Sequence, residues 1–236
     1  MSKEIEDYNS EELIKDAIKR LNDELRLKGV GFDIDGVEVD SATKAIERFN
    51  EFHGTSYCKD DLTSVWEMAN WASRIPGIRD PKQYATKLWN SDEVFANANH
   101  EYGALILTRF LHQEVVFPQR YTARPSYTEK VTRRWFLTNK PWVEQDLIHI
   151  QREGNGVNHS FKVDGINEQG IGYFFEDDTT TAELIEQNTR ALVILVPQPW
   201  NKFYESSSDR IIVPKDYGGL PSLIRSYLTL ATTFMQ

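Results

Sequence analysis

Val30-Gly31-Phe32-Asp33-Ile34-Asp35-Gly36-Val37 decides how this chain is to be read. Apolar residues lead into two aspartates one residue apart, and a glycine follows. The run predicts a buried strand, on which positions i and i+2 point the same way, so Asp33 and Asp35 share a face. Gly36 lets the backbone leave the strand through a conformation that other residues resist. The carboxyl ends of such strands are where open α/β sheets hold ligands. Two converging carboxylates repel unless a cation or a proton lies between them. The pattern suits magnesium-dependent phosphoryl transfer. A calcium loop does not fit. Counted from Asp33, Glu38 stands where the sharp-turn glycine belongs and Lys44 where the bidentate glutamate belongs.

The 236 residues are enough for one sizeable domain with a large insertion, or for two small ones. A net charge of -9 argues against an extended nucleic-acid surface, which needs a surplus of lysine and arginine. A local basic pocket for one phosphate stays open. Cys58 is alone, so no intrachain disulfide can form and a reducing compartment is expected. The N-terminus is acidic and polar, unlike a signal peptide, and no apolar run is long enough to cross a bilayer. The expected location is the cytoplasm, with no membrane partner.

Outward from the aspartates the chain alternates. Before them, Leu13, Ile14, Ala17, Ile18, Leu21 and Leu25 make one helical stripe, opened by an Asn9/Glu12 capping box and broken by Gly29. After them, Ser41 is placed to cap a helix carrying Ala42, Ile46 and Phe49. From there to His112 the chain reads as helical and aromatic, with no convincing strand. Sheet character returns at Val115-Val116-Phe117 and Tyr121, interrupted by Pro118. Thr122-Ala123-Arg124-Pro125 follows, and Ser126 with Glu129 predicts a capping box for the next helix. Further strands are expected at Leu147 to Ile150, Ile171 to Phe175 and Ala191 to Val196, with a glycine-bearing loop from Gln151 to Ser160. Strands alternating with helices predict an α/β fold: a Rossmann-like parallel sheet with helices on both faces.

Three expected strand ends carry Asp33/Asp35, Thr122 and Asp177/Asp178, and Lys162 precedes the third. That order resembles the haloacid dehalogenase-like phosphatase superfamily, over roughly residues 30–199. Its members carry D-x-D, a strand-ending Thr or Ser, a Lys and a terminal acidic pair. The resemblance implies a catalytic core over 30–40 and 113–200 and a helical cap over 41–112. An N-terminal helix over 1–29 would pack on the core, and a C-terminal segment over 201–236 would be peripheral. The Thr-Ala-Arg-Pro segment and Pro199-Trp200-Asn201 look most like the 5'(3')-deoxyribonucleotidase family. Where those enzymes carry an aliphatic residue and a base-holding aromatic, this chain has Glu38 and Ser41. A broader base preference is therefore expected.

Carried over residue by residue, the resemblance makes Asp33 the nucleophile of an aspartyl-phosphate mechanism and Asp35 the general acid and base. Mg2+ would be held by Asp33, the backbone carbonyl of Asp35 and Asp177, with Asp178 the rival to Asp177. Thr122, Arg124 and Lys162 would bind the substrate phosphate. The cap's Trp66, Trp71 and Trp89 offer faces on which a nucleoside monophosphate could stack. Three alternatives stay open: a phosphatase for another small metabolite, one for a nucleic-acid 3'-phosphate end, and a binding module that keeps the fold without turnover. A homo-oligomer is also left open.

Overall fold

Val30–Asp33 (β1) is the central strand of a six-stranded sheet in the computed structural model, which describes residues 19–20, 23–151 and 159–214. Its neighbours are Gln119–Thr122 (β4) and Tyr173–Glu176 (β6). Ile148–Ile150 (β5) lies beyond β4, and Leu192–Leu195 (β7) and Ile211–Ile212 (β8) lie beyond β6. The spatial order β5-β4-β1-β6-β7-β8 is parallel throughout. From β1 the chain builds outward one way through β4 and β5, then returns to build the other way. The carboxyl end of β1 is thus the topological switch point, where doubly wound sheets open a crevice. The alternation of helix and strand predicts this sheet, and the structure has it.

Successive residues of the inner strands feed opposite faces, as the period of two requires. Phe32, Phe175 and Ile194 pack with Leu25, Leu107 and Leu111 on one side. Phe174 and Val193 pack with Val163, Ile166, Ala182 and Ile185 on the other. The first face is covered by helical residues 23–28 and by Tyr102–Gln113 (α5). The second is covered by His159–Gln169 (α7) and Thr179–Asn188 (α8). Gly29 ends the first helical stretch at φ +72°, in the left-handed region, and its N–H still bonds the Leu25 carbonyl.

Between β1 and β4 sit Ser41–His53 (α1), Glu67–Ala72 (α2), Pro81–Trp89 (α3) and Asp92–Asn97 (α4). They bury a core of their own, including Ile46, Phe49, Leu62, Met68, Trp71 and Phe95. A two-stranded antiparallel ladder joins Val39–Asp40 (β2) to Asn99–His100 (β3). This short strand in the helical stretch was not expected from the sequence. It gathers the entry and exit of the helical block at one place. Leu107 and Leu111 of α5 pack with β1, so α5 belongs with the sheet although all but its last residue falls within 41–112.

Local differences have local causes. Asp40, not Ser41, caps α1, accepting from the Thr43 N–H. Glu129–Asn139 (α6) has no side-chain cap; a 3₁₀ turn at Ser126–Thr128 leads into it, so the Ser126/Glu129 box does not form. Val115 turns at φ +59° and β4 begins only after Pro118, which cannot donate to a ladder. Ile211–Ile212 joins the sheet as its edge strand, tying in chain beyond residue 201. The Asn9/Glu12 pair, most of the first helical stripe, the loop 152–158 and residues 215–236 lie outside the described residues. Among the described residues no helix is long and apolar enough to cross a membrane.

Candidate active site

The site is built where β1, β4 and β6 end. Asp33 is the last residue of β1, and its Oδ1 accepts the Ile34 N–H at 2.7 Å. Glu176 ends β6, fully buried, with Asp177 directly after it. Carboxylate oxygens of Asp33, Glu176 and Asp177 all lie within 4.8 Å of one another. Lys162, on α7, places its ammonium 3.0 Å from Asp33 Oδ1 and 2.7 Å from Glu176 Oε2. The second oxygen of Glu176 accepts from the backbone N–H groups of Asp177 and Asp178, each at 3.2 Å.

Three buried carboxylates facing one ammonium leave an excess of negative charge. Burial pushes the Asp33 and Asp177 carboxyls well above the usual carboxylate range, and their acidic neighbours add to it. Burial works against the charge on Lys162, but Asp33 and Glu176 outweigh it and hold the ammonium above its ordinary value. An all-oxygen donor set with surplus negative charge fits a hard divalent cation such as Mg2+. Such an ion would reverse the repulsion that raises the two aspartates.

Gly36 is required by this packing. Its φ is +71°, and a Cβ placed there would lie 2.3 Å from Asp177 Oδ2. The first residue after the D-x-D thus makes room for the acidic side chain arriving from β6. Asp177 is held further by the Trp200 indole N–H on Oδ2 at 3.1 Å and by Asn201 Nδ2 on its carbonyl at 2.8 Å. Asp178 does something else. Its Oδ1 accepts from the Thr181 N–H and Oγ1, capping α8. Asp177 thus joins the carboxylate cluster, while Asp178 stops a helix end from fraying.

Asp35 sits beside the cluster in a bidentate pair with Arg124. Arg124 Nε reaches Asp35 Oδ2 at 2.8 Å and Nη2 reaches Oδ1 at 2.7 Å. Burial alone would raise Asp35, but Arg124 outweighs it and holds the carboxyl below its ordinary range. Thr122, the last residue of β4, lies 3.4 Å from Asp35 Oδ2 and accepts the Arg124 N–H. The sequence reading gives Arg124 to the substrate phosphate, and here the structure differs. Its remaining nitrogen donates to Thr132, the Phe95 ring covers its face at 3.8 Å, and its side chain is 2% exposed. A guanidinium so spent orients Asp35.

The three tryptophans part company. Trp71 is 3% exposed and stacks on Tyr57 within the core of the helical block. Trp89 is half-buried against the same core. Trp66 is 55% exposed, with the Lys82 ammonium over its ring. Trp71 is thus core and not a free stacking platform. Two residues at the site were missed from sequence: Glu176 and Trp200. Glu176 closes an apolar strand directly before Asp177, and a glutamate in that position is itself a signal. Trp200 carried no signal beyond the Pro-Trp-Asn resemblance.

No family model and no curated protein matches this sequence. Solved structures do resemble it. A conserved haloacid dehalogenase-like protein of unknown function from Agrobacterium tumefaciens superposes with a TM-score of 0.55 at 16% identity, covering 84% of this chain and 98% of that one. A HAD family hydrolase from Deinococcus radiodurans with bound phosphate and sodium gives 0.55 at 15% identity, covering 85% and 96%. CbbY from Rhodobacter sphaeroides in complex with phosphate gives 0.52 at 14% identity, covering 82% and 96%. Identities this low speak for architecture alone, and the architecture agrees with the parallel six-stranded sheet. The chain has the haloacid dehalogenase-like fold.

Proposed function

We propose that the protein is a magnesium-dependent phosphomonoester hydrolase working through an aspartyl-phosphate on Asp33. One observation carries the reading: the Asp33 carboxylate stands beside Lys162 and within 4.8 Å of Glu176 and Asp177 oxygens at the end of the central strand. Asp33, Glu176 and Asp177, with the backbone carbonyl of Asp35, would hold Mg2+. The ion when bound would screen the nucleophile from the anionic ester and stabilise developing charge. Asp33 attacks phosphorus and the ester oxygen leaves. Asp35, aimed by Arg124, gives that oxygen its proton and then takes one from the water that hydrolyses the aspartyl-phosphate. Thr122 and Lys162 hold the phosphoryl oxygens. The helical block over roughly 41–98, between the paired strands β2 and β3, is the cap that closes over the leaving group.

The preferred substrate class is a nucleoside monophosphate, on the Thr-Ala-Arg-Pro and Pro-Trp-Asn resemblance. The burial of Trp71 favours a second reading, a phosphatase for another small metabolite, because an aromatic counted on for stacking is spent in the core. Specificity constants for nucleoside monophosphates, ribose 5-phosphate and an aryl phosphate, with and without Mg2+, decide between them. A stacked base is worth about 1–3 kcal/mol, so the nucleotidase expects roughly a ten- to hundredfold preference over ribose 5-phosphate. Equal constants leave the general phosphatase. No turnover of any ester with Mg2+ overturns both.

The two adjacent aspartates give a second prediction. Asp177→Ala is expected to raise the Mg2+ concentration needed for half-maximal activity by at least about tenfold. Asp178→Ala should leave that concentration nearly unchanged and cost about 1 kcal/mol of stability, the usual worth of an N-cap. A magnesium titration and a urea melt of each variant check it, and the reverse order would refute the assignment.

A further inference from the structure

Trp200 belongs to neither β1 nor β6, yet it touches both the acidic cluster and the helical block. It lies in the 3₁₀ turn Pro199–Asn201, after β7. Its indole N–H donates to Asp177 Oδ2 at 3.1 Å, while its half-buried ring packs on the core of the helical block. The Lys59 ammonium stands 5.9 Å from the ring centroid. Lys59 in turn pairs with Asp40 at 2.9 Å and with Glu101, the residues flanking the block's two crossings. Gln198, two residues before Trp200, donates to the Gly36 carbonyl at 2.6 Å and to Glu101 at 3.1 Å. One short turn thus grips the loop after the D-x-D, an acidic side chain of the cluster and the base of the block.

We propose that Trp200 is a positioning residue: it fixes the rotation of the Asp177 carboxylate toward a divalent cation, and its ring links cation binding to the seating of the helical block. The inference rests on the metal-dependent reading above. A carboxylate free to rotate pays to be ordered when the ion arrives. One already engaged by an indole N–H does not, which is how outer partners of a metal ligand raise affinity. The ring packs on the core of the helical block, so the seated block helps hold that N–H in place. By reciprocity, an ion that prefers the positioned carboxylate must also favour the seated block, by the same factor.

The test uses Mn2+ as probe, with free ion counted by electron paramagnetic resonance, so it needs no turnover. Trp200→Phe keeps a ring against the block and removes the N–H. It is expected to raise the Mn2+ dissociation constant about tenfold or more while the metal-free protein melts within a few degrees of wild type. Asp177→Asn is the reference for a lost ligand. In wild type, saturating Mn2+ should slow amide hydrogen exchange over residues 59–72, and in Trp200→Phe that slowing should shrink. If Trp200→Phe binds Mn2+ within twofold of wild type while Asp177→Asn does not, the proposal falls and the metal site stands. Wild-type protein that binds no Mn2+ sinks the metal site and the proposal together. Exchange over 59–72 that ignores Mn2+ removes the link to the helical block.

Discussion

Asp33→Asn is expected to leave a folded protein whose magnesium-dependent ester hydrolysis has dropped at least about a thousandfold, because an amide oxygen is no nucleophile toward phosphorus. The substitution is nearly isosteric. The amide oxygen can still accept the Ile34 N–H that Asp33 Oδ1 accepts at 2.7 Å. What it removes is one of three buried negative charges around Lys162. Burial and acidic neighbours hold the Asp33 carboxyl above its ordinary range, so at neutral pH its charge works against the fold. The variant should therefore melt at the same temperature as wild type or higher, in metal-free buffer. Activity and stability moving in opposite directions is the mark of a functional charge kept at a structural cost. Turnover above a few per cent of wild type, or a marked loss of stability, would count against Asp33 as nucleophile.

Much of this was legible in the chain, and the reasons differ by residue. Asp33 and Gly36 could be read because local chemistry dictates them: a buried strand, then a turn that only glycine takes comfortably. The order of the motifs could be read because a doubly wound sheet brings successive strand ends to one crevice, so sequence order becomes spatial neighbourhood. Arg124 could not. Its direction depends on Phe95, which reaches it from α4, and on Thr132, one turn into α6. Nothing near Arg124 in sequence says that the space toward a substrate is closed by a ring. Trp71 failed for the same reason, since a tryptophan's role turns on whether Tyr57 and Phe49 have already claimed its faces. The edge strand Ile211–Ile212 was missed because two isoleucines show no period, and only the open flank of β7 makes them a strand.

The departure at Glu38, where the resembled enzymes carry an aliphatic residue, has a structural answer and the second large expected effect. Glu38 is fully buried, and it meets Lys140 at 2.8 Å and Arg120 at 2.9 Å, both of them also buried. Lys140 closes the end of α6 and Arg120 lies on β4, so the group pins the turn after Asp35 to two core elements. Burial would raise Glu38, but Arg120 and Lys140 outweigh it and hold the carboxyl below its usual range. For Lys140 burial wins, and its ammonium is held below its ordinary value despite Glu38. The anion is thus the shared partner of two cations that do not want to be there without it. Glu38→Gln strands both, and is expected to cost about 3–5 kcal/mol, a large part of the roughly 5–15 kcal/mol that holds a domain together. Lys140→Met should cost clearly less, because Arg120 still pairs with Glu38 and the charge removed is one that burial already opposes. Replacing all three by Leu or Met should recover most of the loss, since an apolar trio needs no partners. The sign with pH follows from the depressed carboxyl. Glu38's contribution is complete above the ordinary glutamate range and is lost as the pH falls through the folded-state value. Urea unfolding of wild type and the three variants at neutral and at acid pH measures all of this. A Glu38→Gln variant within about 1 kcal/mol of wild type at neutral pH would mean that water reaches the triad and that it does not pin the turn.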